Sequence, residues 1–474
     1  MSIKKQFISG VFFTALTKYL GIIVSLVITG VLSRILRPSD FGLIAIVSVL
    51  ITFFNLLAEM GIGPAVVQRQ DLSKRDYQEL FFFTIVVGVV LSLLFIIAAP
   101  CIASFYEEDR LVLLCRLLAF GIVLNCVNII PNALLLKERK FKFIMYRQLL
   151  VQLLSGGVGI ICALNGLGVW ALVIYTLCSG LFVFCFNYFK NPLGISFFSK
   201  QTLQKISKFA TYQFLFGFIN FFSRNADNLL IGKYISPSAL GYYDKSYRLM
   251  MIPIENLTHV FSPVIQPVLY EYQDDKVKIF SVYSKLVSIL ALIGFPLSVF
   301  LHFSASELIF IVFGSQWKAS VPVFEILALS AGIQIVLSSS GSIFQVANDT
   351  KRLFVSGFLS AIVMVSSILV GVLVFKDLEK LAWMLVLAFA FNFFQCYFIL
   401  IKKVLEQSLS DFFRLLYWPV FVAVCFYITG SMFAPYLIHY NLWMSLFLKI
   451  FIAVVIWGIL AGRQIIDVYR GMRA

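Results

Sequence analysis

Charge is scarce in this chain of 474 residues. Asp, Glu, Lys and Arg make up 13% of it, beside 61% apolar residues. Soluble domains carry about twice that share of charge, so the balance excludes an ordinary soluble globule. Paired cysteines are lacking as well. The eight cysteines are scattered through apolar runs with no CxxC pair and no Cys/His cluster. That excludes a disulfide framework or a zinc site and leaves them as small residues of an apolar interior. The chain also lacks a Gly-rich phosphate loop, a low-complexity linker and any Ser/His/Asp or metal-ligand constellation. No loop between apolar runs exceeds about 20 residues, against roughly 50 for a small domain. Function therefore has to be carried by the apolar segments themselves.

Those segments are continuous rather than alternating, and most are long enough to cross a bilayer core of about 30 Å. Continuous runs predict helices, not a barrel. Fourteen spans are read, at roughly 8–33, 41–66, 78–102, 111–136, 143–164, 168–189, 207–231, 244–272, 281–303, 319–346, 354–375, 379–401, 412–432 and 442–462. The first run lacks a small-x-small cleavage site and is read as a retained helix. An even count puts both termini on one side. With the N-terminus cytoplasmic, 25 Lys and Arg fall inside and 10 outside, so both termini are expected in the cytoplasm. The same bias accounts for the net charge of +15 without nucleic acid. Arg147 is counted here with the basic cytoplasmic loop that starts at Lys137.

A repeat divides the chain. Arg34-Ile-Leu-Arg-Pro-Ser-Asp-Phe-Gly42 matches Lys233-Tyr-Ile-Ser-Pro-Ser-Ala-Leu-Gly241 at an offset of 199, and Pro64 matches Pro263 at the same offset. Further on, Ala119–Ile122 falls on Ser330–Ile333, Lys140 on Lys351 and Trp170 on Trp383 at offsets of 211 to 213. Six spans per half keep the orientation, so the repeats are parallel. The expected fold is an all-α integral membrane protein of two six-helix halves around a central cavity, residues 1–190 and 191–403, with two more helices in 404–474.

Charges inside a membrane helix are expensive and normally face a bundle interior or a water-filled cavity. Span 7 carries Gln213, Gly217, Asn220, Arg224 and Asp227 at spacings of 4-3-4-3, with Asn228 beside them. Span 8 carries Arg248, Glu255, His259, Ser262 and Gln266 on one face, span 1 Lys18, and span 2 Asn55 and Glu59. These four helices correspond under the repeat and are expected to line the cavity. Arg248 and Lys233 have a second reading as interface anchors, and Arg224 with Asp227 as a mutually neutralising pair. The stripe Asn125, Asn128, Asn132 of span 4 is read as interhelical hydrogen bonding. Lys449, in span 14, is read as snorkelling to the interface.

Three stretches carry a resemblance: Leu36-Arg-Pro-Ser-Asp-Phe-Gly-Leu43, Glu59-Met-Gly-Ile-Gly-Pro-Ala-Val-Val-Gln68, and Asp227-Asn-Leu-Leu-Ile-Gly-Lys233 with Ala239-Leu-Gly-Tyr-Tyr243. With the twelve-plus-two span pattern, they resemble the polysaccharide-transporter (Wzx-like) branch of the MOP flippase superfamily. The resemblance implies translocation of an undecaprenyl-diphosphate-linked oligosaccharide from the cytoplasmic to the outer leaflet of the bacterial inner membrane. Membrane lipids, a polysaccharide polymerase and its chain-length machinery are the partners it implies, and no cofactor. Lys18, Arg34, Arg224 and Arg248 are candidates for the diphosphate, and Asn55 and Asn220 for the glycan. Glu59, Asp227 and Glu255 dilute a cationic lumen and are candidates for coupling to H+ or Na+. An ion-coupled antiporter of small cationic molecules is the competing expectation, and its cavity should be dominated by acids. A membrane enzyme would need an ordered site on a long loop, and the chain has none.

Overall fold

The computed structural model describes residues 3–197, 199, 202, 221, 225–270, 272–273, 275–437 and 439–473. Every regular element among them is helical. Eleven helices are long and apolar enough to cross a membrane, or twelve if the bent pair Ser320–Ala328 and Ala331–Val346 is one span. The protein is thus a multi-pass membrane protein. Of the fourteen expected spans, the seventh lies largely outside the described residues. The eighth falls on a helix of 34 residues, Pro237–Tyr270, roughly 50 Å long at the α-helical rise.

The chain divides into two compact units, Met1–Gly241 and Tyr242–Ala474. The first holds α1 (Ile3–Ile35), α2 (Pro38–Glu59), α3 (Ile62–Gln68), α4 (Lys74–Tyr106), α5 (Arg110–Lys137), α6 (Phe141–Leu164) and α7 (Val169–Lys190), then helical turns over 225–234. Capping residues set the starts. Pro38 opens α2 with its ring where a backbone N–H would be unsatisfied anyway, and Asp40 accepts from the Arg37 N–H at 3.1 Å. Ser73 caps α4 by accepting from the Asp76 N–H at 3.2 Å, and Asp76 accepts from the Ser73 N–H at 2.8 Å. The expected span 41–66 is interrupted. Met60 and Gly61 adopt left-handed φ of 41° and 73°, which Gly takes at no steric cost. The Gly61-Ile-Gly-Pro64 run therefore ends α2 at Glu59 and starts α3 at Ile62, leaving Glu59 on the last turn of a spanning helix. Helix α5 packs against α2, α3, α4 and α7, while α6 packs along α1 and α7. Leu80 and Phe81 of α4 meet Ile130, Ala133 and Leu134 of α5 and Ile62 and Ala65 of α3 in an apolar core.

Both copies of the repeated Pro-Ser-x-x-Gly are first helical turns: one opens α2, the other opens α8 (Pro237–Tyr270). They lie against each other. A Cβ on Gly42 would stand 1.7 Å from the Pro237 carbonyl oxygen, and one on Gly241 would stand 2.2 Å from that of Pro38. The sequence repeat is thus a reciprocal helix contact that only glycine allows at both positions.

The second unit continues α8 and adds α9 (Lys276–Phe303), α10 (Ala305–Val312), a short 3-10 turn (Ser315–Trp317), α11 (Ser320–Ala328), α12 (Ala331–Leu337), α13 (Ser340–Val346), α14 (Thr350–Leu369), α15 (Leu378–Tyr397), α16 (Leu409–Arg414), α17 (Tyr417–Leu437) and α18 (Leu442–Arg473). Wide π turns, Val370–Phe375 and Phe398–Val404, extend α14 and α15. Helix α9 is the hub, packed by α11, α12, α17 and α18, with Leu292, Val299, Val422 and Phe426 in its core. The expected span 319–346 bends by 45° between α11 and α12. Ser330 stands at that bend and bonds back to the Leu327 carbonyl at 2.7 Å, and Ser338, Ser339 and Ser340 do the same one helical turn back at the break between α12 and α13. Such bonds compete with the helix ladder and bend it.

Lys449 corrects the snorkelling expectation. Its Nζ donates to Glu307 Oε1 at 2.5 Å and to the Phe303 carbonyl at 2.6 Å, and the Ser445 hydroxyl donates to the same carboxylate at 2.7 Å. Glu307 is buried and the Lys449 side chain is 13% exposed. The burial of Glu307 raises its pKa, but the bonds from Lys449 and Ser445 outweigh that and hold the carboxyl below its ordinary value. Lys449→Ala is expected to destabilise the protein by about 3–5 kcal/mol, because it leaves a buried carboxylate without its cation. A thermal unfolding scan in detergent measures this, and the Lys449→Met, Glu307→Met double variant should recover most of the loss.

Candidate functional site

Polar side chains converge inside the first unit, on residues from three helices. On α5, Asn125, Asn128 and Asn132 share one face at helical spacing. Opposite them, near the start of α6, Arg147 is 8% exposed. Its Nη1 donates to Asn132 Oδ1 at 3.1 Å and to Asn187 Oδ1 at 2.5 Å. Asn187, fully buried on α7, passes a bond from Nδ2 to Asn128 Oδ1 at 2.9 Å. Asn128 Nδ2 closes the chain on the Leu124 and Gly180 carbonyls. The guanidinium is held by two neutral amides, and no carboxylate pairs with it among the described residues. Its Nε is buried with no partner. A buried cation without a counter-ion is costly unless something anionic visits it.

Arg147 stands at the junction of two cavities. One, of about 690 Å³, is walled by Asn55 and Glu59 from α2, Gln68 from α3, and Asn125, Asn128 and Asn132 from α5. The other, of about 720 Å³, is walled by Lys18 from α1, Arg147, Gln148 and Gln152 from α6, and Tyr175 and Ser179 from α7. Leu136, Arg147 and Val183 belong to both walls. Gln152 is fixed by donating to the Gly21 carbonyl at 3.0 Å, whereas Asn55 Oδ1 is buried with no hydrogen-bond partner. The first chamber is rich in amides with one carboxylate, and the second is cationic. Together they offer an anion a guanidinium and an ammonium, and offer a polyhydroxylated ring a wall of amides.

Several expected residues meet there and others do not. Lys18 joins Arg147, and Asn55 joins Glu59. Arg34 is exposed at the end of α1, bonded to the Gly30 carbonyl of its own helix at 3.3 Å. Arg248 is exposed and pairs with Asp244 one turn back at 2.8 Å. Neither lines the two chambers. Glu255 is exposed on α8. Asp227 is buried and accepts from the Asn228 backbone N–H at 2.8 Å, while Asn228 Oδ1 is buried without a partner. Asn220, Arg224 and the side chain of His259 lie outside the described residues, and with them the pairing of Arg224 with Asp227. Lys233 pairs with Glu107 at 2.7 Å. That bond and the lysine charge hold the exposed Glu107 carboxyl below its ordinary value, so the tie persists above the usual carboxylate range and is lost on acidification through the lowered pKa.

Sequence reasoning missed Arg147. It lies inside α6, seven residues beyond Lys140, and is not a loop charge. The signal was the spacing Gln148, Gln152, Ser155, Gly159, a polar and small stripe that places the start of α6 against other helices rather than lipid. The asparagines of α5 do bond between helices, as expected, and they also wall a cavity.

Known proteins bear on this arrangement. The profile of a family described as "Polysaccharide biosynthesis protein" matches residues 31–322. The chain is 26% identical over 345 residues to the teichuronic acid biosynthesis protein TuaB of Bacillus subtilis (strain 168), covering 72% of this chain and 71% of that one. It is 23% identical over 437 residues to the lipopolysaccharide biosynthesis protein WzxC of Escherichia coli (strain K12), covering 90% and 87%. Among solved structures, the lipid II flippase MurJ in an inward closed conformation superposes with a TM-score of 0.73 at 14% identity, over 97% of this chain and all of that one. An inward-facing multidrug resistance MATE transporter of the MOP superfamily gives 0.62 at 15% identity, over 88% and 94%. At those identities the solved structures speak for the fold alone, which is the MOP-type helical fold. The family profile covers more than half of the chain, and on that ground the protein belongs to the polysaccharide biosynthesis protein family.

Proposed function

We propose that the protein flips undecaprenyl-diphosphate-linked oligosaccharide units from the inner to the outer leaflet of the bacterial cytoplasmic membrane, for a surface polysaccharide. One observation carries the reading: a buried arginine with no counter-ion among the described residues, set between a cationic chamber and an amide-walled one inside a spanning bundle. Lys18 and Arg147 suit a diphosphate, whose oxygens take charge-assisted bonds from both. Asn55, Asn125 and Asn132 suit sugar hydroxyls, which donate to and accept from amides. The fold is shared with drug antiporters. A cation-binding cavity would be walled by acids, and among the two chambers' lining residues Glu59 is the single acid against Lys18 and Arg147.

Both termini are placed in the cytoplasm by the Lys and Arg bias, and a polymerase with its chain-length machinery would receive the flipped unit. Asp227 and Glu255 are the acids outside these chambers through which H+ or Na+ could drive the cycle. Deleting the gene tests the function. The expected result is loss of one surface polysaccharide with accumulation of its lipid-linked unit on the cytoplasmic leaflet. Drug sensitivity with normal surface glycan would favour an antiporter instead. For topology, a reporter fused after Ala474 should be active only as a cytoplasmic fusion.

A further inference from the structure

We infer that Glu59 selects the charge class of the glycan, favouring a neutral sugar and rejecting a uronic acid on the ring next to the diphosphate. This rests on the flippase reading and adds to it a discrimination made by one side chain.

The amide-walled chamber has two charged lining residues, Arg147 and Glu59. They come from different helices and face the same space. Arg147 is immobilised by Asn132 and Asn187. Glu59 is exposed into its surroundings, at the point where α2 breaks, and its Oε1 lies 3.2 Å from where a Cβ on Gly63 would stand. The absence of a side chain at Gly63 therefore leaves the carboxylate room on the chamber wall. No ion pair is formed by Glu59 among the described residues. One turn earlier on the same face, Asn55 presents an acceptor oxygen that is buried and unbonded. Two acceptors at i and i+4 thus point to donors: a carboxylate with four lone-pair sites and an amide oxygen with two. Vicinal hydroxyls of a hexose supply such donors in pairs.

A phosphate held at Arg147 puts the first sugar of the unit in this chamber. A neutral ring donates its hydroxyls to Glu59 and Asn55. A uronic acid at that ring brings a second carboxylate beside Glu59 on the chamber wall. Like-charge contact there is worth well over about tenfold in affinity. Arg147 does not relieve it, because the diphosphate already occupies the guanidinium. The amides are indifferent to the sign of the sugar, so Glu59 decides.

The experiment uses the full chain in proteoliposomes with two probes, undecaprenyl-diphosphate-glucose and undecaprenyl-diphosphate-glucuronic acid, which differ only at C6. Wild type is expected to bind and flip the glucosyl lipid at least about tenfold better than the glucuronosyl one. Glu59→Gln keeps the shape and one acceptor oxygen but removes the charge. It should narrow the ratio to within about threefold, mainly by improving the glucuronosyl probe. An unchanged ratio in Glu59→Gln overturns the inference and leaves the flippase reading standing. An equal fall for both probes, together with loss of response to an imposed H+ or Na+ gradient, also overturns it and makes Glu59 a coupling group. Failure of wild type to bind or move either probe overturns the flippase reading itself. A native elution profile and unfolding midpoint for Glu59→Gln exclude misfolding as the cause of any change.

Discussion

Gly42→Ala is expected to destabilise the protein by at least ~3 kcal/mol and to remove it from the membrane fraction. Overpacking a site costs about 1–3 kcal/mol when neighbouring side chains can move. Here the new methyl would stand 1.7 Å from the Pro237 carbonyl oxygen and 2.5 Å from its carbon. That obstacle is backbone on the first turn of another helix, and no rotamer relieves it. Gly241→Ala meets the mirror-image obstacle at Pro38 and should behave alike. Gly157→Ala is the control: nothing lies within 4 Å of its Cβ position on α6, and alanine is the better helix former by about 1 kcal/mol. Membrane-fraction yield and the unfolding midpoint in detergent separate the three variants. Normal yield of Gly42→Ala would mean that the two helix starts do not meet this closely.

The second large effect is at Arg147. Arg147→Ala is expected to abolish surface glycan while the protein remains in the membrane at about its normal level. Losing one partner of a desolvated charge-assisted contact costs ~2–5 kcal/mol of binding, equivalent to some 30- to 4,000-fold in affinity. Arg147→Lys keeps the charge but not the planar fork that reaches both Asn132 and Asn187, so partial activity is expected. Because the resting guanidinium is bonded to neutral amides and not to an acid, its removal strands no buried carboxylate. Activity should therefore fall much further than stability. Equal loss of protein and glycan would make Arg147 a packing residue.

Much of the fold could be read from the chain because its causes are local. Apolar runs gave spans, and the Pro-Ser-x-x-Gly repeat pointed to two equivalent positions in the chain. What the repeat could not tell is that the two glycines face each other, since that contact joins residues 199 positions apart. The bend between α11 and α12 was hidden because Ser330 looks like an ordinary small residue until its hydroxyl turns back on the helix. The site was half legible. Asn55 and Glu59 stood out as polar groups at helical spacing in an apolar span, and Lys18 as a charge in one. Arg147 did not, since it follows four basic residues of a loop and its character depends on Asn132 and Asn187 from two other helices. Arg34 and Arg248 stand outside both chambers. Their positive charge suggested a phosphate, yet each bonds within its own helix, to Gly30 and Asp244.

The central claim is that the buried Arg147, between its two chambers, holds the diphosphate of a lipid-linked sugar during translocation. The most direct measurement is transbilayer movement of undecaprenyl-diphosphate-linked oligosaccharide in proteoliposomes, wild type against Arg147→Ala at matched protein content. The account predicts movement by wild type and a fall of at least about 30-fold in the variant, with unfolding midpoints alike. Undiminished movement by Arg147→Ala would contradict it.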